Sequence, residues 1–430
     1  MKLPRFLKSN LILKITSVNS TVIIIRLIIA LFIQRILAVM VGEAGIAKIG
    51  QLRNVTAMLM SFTTLGVSNG VIKYLSELKS DKHVLNKLFS ATFILGSIGT
   101  IVSSIVLLVF ADEISLYLFS DLSYKIIVQL LAVAVPFIAL HRIFNSVISG
   151  LSDYKSYAKV ELFAYILSAM ALLLGLHLKS LTGVLVAIAL TPIIQFSVLL
   201  MVFGKTLRLY IKFHEIKWET SYIKPLLGFT MMSFVSTFLL NSVELDVRTQ
   251  ISDRINIEEA GYWTAMTFIS KNYMVFISGI LALYVLPKFS SITTRSGFKK
   301  EVLYVFKSIL PLFALGMLGI YMFRDTIIDL IYPKFTGMAV LFKWQLIGDF
   351  IRLISMILAY QFLAKKLVKT FIITELISLV CFYVFSMYLI QFYETEGVVI
   401  AHFLRYVVYL LSVVFGLYLY FRRNSEVSAP

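Results

Sequence analysis

Twelve stretches of almost unbroken apolar residues leave this chain little choice of environment. They run near residues 15 to 41, 45 to 72, 86 to 110, 122 to 148, 158 to 177, 182 to 203, 225 to 248, 260 to 287, 302 to 323, 338 to 362, 370 to 392 and 396 to 421. A hydrocarbon core about 30 Å thick takes roughly 20 residues of helix to cross, and each stretch is of that order. Hydrophobic residues make up 59% of the 430 and charged residues only 15%, more apolar surface than a water-soluble chain of this length can bury. Strands of a membrane β-barrel would alternate apolar and polar residues, whereas Phe93 to Phe110 carries apolar side chains on every face of a helix. The expected fold is all-α: a polytopic membrane protein of twelve transmembrane helices.

The basic residues set the expected orientation. Lys2, Arg5, Lys8 and Lys14 precede the first stretch, and Lys73 to Lys87, Lys155 and Lys159, Lys205 to Lys224, Lys288 to Lys300, Lys365 to Lys369, and Arg422 with Arg423 fill every second gap. Alternate gaps hold Asp112, Glu113, Asp121, Asp253, Glu258, Glu259, Asp325, Asp329, Glu394 and Glu396, opposed only by Lys125, Lys179, Arg254, Arg324 and Lys334. The positive-inside rule then puts the basic gaps and both termini in the cytoplasm. An even crossing number agrees with both ends on one side. The formal net charge of +17 is accounted for by topology and by attraction to anionic membrane lipids, so no nucleic-acid partner is expected. No small-residue cleavage site follows the basic start, so no cleaved leader is expected. The single Cys381 lies in a stretch and forms no intrachain disulfide.

Two halves repeat in order. Gln34 with Glu43-Ala44-Gly45 answers Gln250 with Glu259-Ala260-Gly261; Lys73-Tyr74 answers Lys288-Phe289; Phe110 to Ile114 answers Phe323 to Ile327; Arg142 answers Arg352. The expected organisation is an N-terminal six-helix bundle over 1–210 and a C-terminal one over 211–430. A pseudo-two-fold axis along the membrane normal relates the two, as in several transporter folds.

Charged residues inside the stretches carry the functional signal. Arg26, Arg35, Lys48, Arg53, Arg142, Arg248, Lys271, Lys307, Lys343, Arg352 and Arg405 outnumber Glu43, Glu161, Glu244, Asp246, Asp349 and Glu375. A cation at mid-bilayer costs at least roughly 2.5 to 3.5 kcal/mol, so each must face protein, water or a partner. Lys48, Lys307 and Lys343 lie near enough to span ends to extend toward the headgroups. Glu244 and Arg248 stand at i,i+4 with Asn241 on the same face, and Asp349 and Arg352 at i,i+3, spacings that allow ion pairs within one helix. Arg26 has no acid within a turn, Arg53 stands beside Gln51 and Asn54, and Lys271 beside Ser270, Asn272 and Tyr273. Arg35 falls on the opposite side of its helix from Arg26. Two readings stand: a cationic, hydrogen-bonding lumen for an anionic solute, or salt bridges across the bundle to Glu161, Asp246 or Glu375. Guanidinium forks match phosphate bidentately, which favours a phosphorylated lipid headgroup as the solute. The aromatic segments Tyr262-Trp263 and Phe342-Lys343-Trp344 suit an interfacial belt or stacking on sugars.

Gln51-Leu52-Arg53-Asn54, Ser68 to Tyr74, Tyr284 to Phe289 and above all Trp344-Gln345-Leu346-Ile347-Gly348-Asp349 resemble the Wzx-type polysaccharide flippases, or O-antigen translocases. That family sits in the superfamily of multidrug, oligosaccharidyl-lipid and polysaccharide exporters, and the resemblance runs the length of the chain. It implies two helical lobes and alternating-access movement of an undecaprenyl-pyrophosphate-linked oligosaccharide from the cytoplasmic to the periplasmic leaflet. It also implies a cationic cavity to which Arg26, Arg35, Arg53 and Arg248 contribute, with Lys271 added by position. Gln51, Asn54, Asn241 and Asn272 are the expected polar lining, and Glu244, Asp246 and Asp349 the expected counter-charges or coupling groups. Polysaccharide polymerase and chain-length proteins are the expected protein partners. No phosphate-binding Gly-rich loop occurs, and neither a cofactor nor a metal is expected. Three rivals are a multidrug extruder, which would call for acidic cavity residues, a membrane polymerase or ligase, which would call for a longer outward loop than this chain has, and a purely structural scaffold, which would not explain eleven costly cations. A transporter rather than an enzyme is the expectation.

Overall fold

The computed structural model describes residues 11–78, 81–292 and 294–427, and every regular element among them is helical. In chain order these are α1 (Leu11–Phe62), α2 (Ser68–Leu78), α3 (Lys82–Val109), α4 (Ala111–Phe119), α5 (Lys125–Gly150), α6 (Tyr154–Tyr210) and α7 (Ile223–Ser233). They continue with α8 (Leu240–Arg254), α9 (Ile257–Ile280), α10 (Leu286–Ser291), α11 (Arg295–Met322), α12 (Arg324–Ile331), α13 (Leu341–Ala364) and α14 (Val368–Val427). The basic residues Lys2, Arg5 and Lys8 lie outside the described residues.

Eight segments among the described residues are long and apolar enough to cross a membrane. Three of them, 25–62, 155–210 and 368–422, contain a break: Gly42 (φ 66°), Lys179-Ser180 (Ser180 φ 50°) and Glu394 (φ 49°). Two of these breaks are chain reversals. In an unbroken helix, residues eight apart stand about 12 Å apart. Yet a Cβ added to Gly183 would lie 1.9 Å from the Gly175 carbonyl oxygen, and one on Gly397 2.4 Å from that of Leu389. The paired stretches expected at 158 to 177 and 182 to 203, and at 370 to 392 and 396 to 421, are therefore tight antiparallel hairpins. The stretch expected at 260 to 287 corresponds to α9 and the π-turn Leu281–Val285.

Helix starts follow local chemistry. Asn256 accepts the Glu259 N–H at 2.8 Å above α9, whose first turn carries Glu258 and Glu259, and Asp153 accepts the Ser156 N–H at 3.1 Å above α6. Each side chain satisfies a donor that the helix leaves open, and acids in the first turn suit its positive end.

The described chain divides into two compact units, residues up to Val41 with Lys48–Ser242, and Gly42–Ala47 with Val243 onward. In the first, Leu88, Phe89, Phe144, Val147, Leu199 and Phe203 form a buried core. Segment 211–242, expected with the second half, packs here. Leu226 joins that core, Tyr222 sets its ring edge-on to Tyr74 at 5.7 Å, and the Ser61 hydroxyl donates to the Ser233 carbonyl at 3.2 Å. In the second unit the core is Leu281, Val285, Phe289, Phe298, Leu353, Phe362 and Val413. Residues 42–47 belong to it because Gly261 seats against the Glu43 backbone, where a Cβ would fall 2.3 Å from the carbonyl oxygen. The two Glu-Ala-Gly repeats thus meet each other.

Candidate functional site

Within the first unit, helices α1, α5 and α6 assemble a cationic cluster. Arg26 Nη1 donates to Glu161 Oε2 at 2.6 Å, and its guanidinium lies 5.0 Å from the Tyr165 ring centroid. The two side chains stay 37% and 21% exposed, so the pair sits where an incoming group can reach it. Arg53 also acts electrostatically on Tyr165, and Arg142 on Tyr157 beside Glu161. Arg26 and Arg142 thus share the Glu161 carboxylate. Gln51 and Asn54 are buried: Asn54 Nδ2 donates to the Asn241 carbonyl at 3.3 Å, while Gln51 Oε1 is buried without a hydrogen-bond partner. Asn241 turns its amide onto the Thr237 carbonyl of the preceding turn at 2.7 Å. Arg35 is exposed, half a turn round the helix from Arg26. Arg26 therefore has the cross-bundle partner that was the alternative reading.

In the second unit the expected lumen residues take different partners. Lys271 Nζ donates to Glu244 Oε2 at 2.6 Å. The pair expected within one helix, Glu244 with Arg248, is replaced by this one, because a lysine from α9 reaches the carboxylate directly. Arg248 is only 1% exposed; its Nε donates to Thr264 Oγ1 at 2.7 Å and its guanidinium lies 5.0 Å from the Trp263 ring. It therefore lines no open cavity here, and its Nη1 is buried with no hydrogen-bond partner. Trp263, at 2% exposure beneath it, belongs neither to an interfacial belt nor to a sugar-stacking surface. The cation–π contact explains the site: an indole face is one of the few apolar surfaces that attracts a guanidinium. Asp246 accepts a hydrogen bond from the Tyr383 hydroxyl, and Asn272 donates to the Phe268 carbonyl of its own helix at 2.8 Å.

Asp349 is fully buried at the centre of a polar knot. Its carboxylate accepts from Tyr273 at 2.5 Å, Ser270 at 2.6 Å and Gln345 at 3.0 Å, with His402 Nε2 at 3.1 Å and Arg352 Nη1 at 3.6 Å. A carboxylate removed from water needs this many partners. Nearby, Arg405 Nε donates to Ser378 at 2.8 Å, and the Tyr409 hydroxyl to Glu375 at 2.6 Å. Sequence reasoning did not single out Tyr157, Tyr165 or His402, and named Tyr273 only as a neighbour of Lys271. Gln345 could have been found: it stands at i,i+4 from Asp349 within one motif, a spacing that suits a side-chain hydrogen bond. Arg142 was also legible, through its repeat partner Arg352. Among the described residues no group of His, Cys, Asp and Glu is arranged to hold a metal ion.

A profile of the family described as "Polysaccharide biosynthesis protein" matches residues 12–293, more than half the chain. The chain belongs to the polysaccharide biosynthesis protein family. This family member is 26% identical over 401 residues to the Lipid III flippase of Escherichia coli (strain K12), covering 92% of this chain and 95% of that protein. It shares its fold with an inward-facing MATE family transporter of the MOP superfamily (TM-score 0.78, 13% identity, 94% and 96% of the two chains). The Lipid II flippase MurJ in an inward closed conformation gives a TM-score of 0.73 at 18% identity, covering 93% and 87%.

Proposed function

We propose that this protein is a lipid-linked oligosaccharide flippase, moving an undecaprenyl-pyrophosphate-linked glycan from the cytoplasmic to the periplasmic leaflet by alternating access. The observation that carries the reading is the partly open Arg26–Glu161 pair, with Arg142 acting on the same carboxylate and Arg53 on the neighbouring Tyr165. A diphosphate diester brings roughly two negative charges, which guanidinium groups match bidentately. Similarity to the Lipid III flippase along 92% of the chain supports the same reading. In it, twelve helices in two six-helix repeats cross a bacterial inner membrane, with both termini cytoplasmic. Arg26, Arg35, Arg53, Arg248 and Lys271 serve the substrate in turn as the site opens, with Gln51, Asn54, Asn241 and Asn272 as polar lining. Glu244, Asp246 and Asp349 balance or couple the charge. The protein transports without catalysis, and polymerase and chain-length proteins receive its product.

Translocation of a labelled undecaprenyl-pyrophosphate glycan in proteoliposomes tests this. Arg53→Ala should slow appearance of label in the far leaflet at least about tenfold, since one lost charge-assisted bond in a partly buried site is worth ~1.5–3 kcal/mol. An unchanged rate would refute the assigned role. Mass spectrometry of the recovered lipid should show it intact; a cleaved pyrophosphate or an extended glycan would make the protein an enzyme. Impermeant maleimide should label single cysteines placed in 253–259 but not in 205–224 of intact cells.

A further inference from the structure

The helix α11 is the least buried of the eight membrane-crossing segments, with 11% of its apolar window inside the protein. It turns Leu312, Leu315, Leu318 and Met322 outward, at 73%, 66%, 54% and 67% exposure, a face only lipid can cover in a membrane. Between the C-terminal half of α11 and the N-terminal half of α13 runs a groove of about 330 Å³. Met317, Leu318, Ile347 and Phe350 line its body, and Tyr321 and Lys343 stand where both helices meet the segment 324–340. A water's share of liquid volume is about 30 Å³, so the groove takes roughly ten groups of methylene size.

The mouth decides what kind of chain enters. Lys343 is exposed on the first turn of α13, its ammonium 4.9 Å from the Trp344 ring, and it is the one charged residue among those lining the groove. Arg324 stands over the Tyr321 ring at 4.7 Å, but Asp325 lies 3.7 Å from its guanidinium and offsets its charge. A hydrocarbon slot ending at an uncompensated ammonium matches a lipid with a negative headgroup, whereas a zwitterionic headgroup brings its own ammonium beside Lys343. We propose that this groove is a binding site for one acyl chain of an anionic phospholipid, whose phosphate lies against Lys343. The orientation in the proposed function puts this lipid in the periplasmic leaflet; the binding itself does not depend on that orientation or on flipping. The site uses none of the substrate residues named above.

Native mass spectrometry of the full chain released from vesicles of phosphatidylethanolamine and phosphatidylglycerol, three to one, tests the site. Phosphatidylglycerol should be retained over phosphatidylethanolamine. Lys343→Gln, an exposed replacement that leaves the fold intact, should lower its retention about fivefold, the contribution of one lysine beside an anionic surface. Leu318→Trp, which fills the groove, should remove the bound lipid without changing the melting temperature. Equal retention of the two lipids, or unchanged retention in both variants, overturns the proposal. So does displacement of phosphatidylglycerol by one equivalent of undecaprenyl phosphate, which would make the groove a seat for the carrier lipid. Transport by both variants reads the flippase assignment separately.

Discussion

Glu161 holds Arg26 back from full availability, and that makes it the most informative single residue in the cationic cluster. Glu161→Gln leaves a neutral acceptor in its place, and the surplus of positive charge rises by one. Affinity for a pyrophosphate lipid should increase by about five- to tenfold, in the range of one partly screened charge pair, while turnover falls because release is slower. Equilibrium binding and single-turnover translocation, measured side by side, check both signs. Arg248 poses the opposite case. Its guanidinium is buried with Thr264 as hydrogen-bond partner and Trp263 as cover, and one of its nitrogens is unsatisfied. Removing a buried charge is far cheaper than orphaning it. Arg248→Met should therefore change stability by less than about 1 kcal/mol, whereas Thr264→Val should cost about 1–3 kcal/mol by leaving Arg248 without its bond. Thermal unfolding in detergent separates the two; equal losses would mean that the hydroxyl contributes nothing.

At the scale of the element, the hairpins within α6 and α14 depend on residues too small to keep the arms apart. Gly175 and Gly183 face each other across the reversal at Ser180, each with a carbonyl where the other's Cβ would go. Neither contact is with a movable side-chain tip, so the backbone itself would have to shift. Gly183→Leu should open this hairpin at a cost of about 3 kcal/mol or more, and Gly204→Leu, where nothing lies within 4 Å, should cost less than about 1 kcal/mol. Comparing their melting temperatures checks the pair. The hairpins were legible as paired apolar runs with Lys179 and Glu394 between them. The reversals themselves were not, because positive φ at Ser180 and Glu394 is imposed by packing of the arms rather than by any preference of serine or glutamate for that conformation.

For the whole molecule, the net charge that crosses the membrane sets the response to voltage. A substrate with roughly two negative charges gains about 2.3 kcal/mol per charge per 100 mV when it moves out of a negative interior. Clamping the potential at zero in proteoliposomes should slow export at least about tenfold relative to 100 mV, inside negative. An unchanged rate would show that the translocated complex is neutral, with the arginine cluster moving alongside its ligand. Glu43-Ala44-Gly45 and Glu259-Ala260-Gly261 meet at Gly261, where a Cβ would fall 2.3 Å from the Glu43 carbonyl oxygen. Sequence alone showed that these motifs correspond, but gave no sign that they touch.

What the sequence determined was environment and helicity. A bilayer admits only chains that satisfy their own backbone, so apolar length translates directly into helix, and alternation of basic gaps into an expected orientation. The excess of buried cations was equally visible as a count. Which acid each cation meets was decided by tertiary structure: Arg26 took Glu161, 135 positions away, and Lys271 took the carboxylate expected to belong to Arg248. A charge in low dielectric binds the nearest partner in space at a strength that falls with distance, and separation along the chain does not enter that energy.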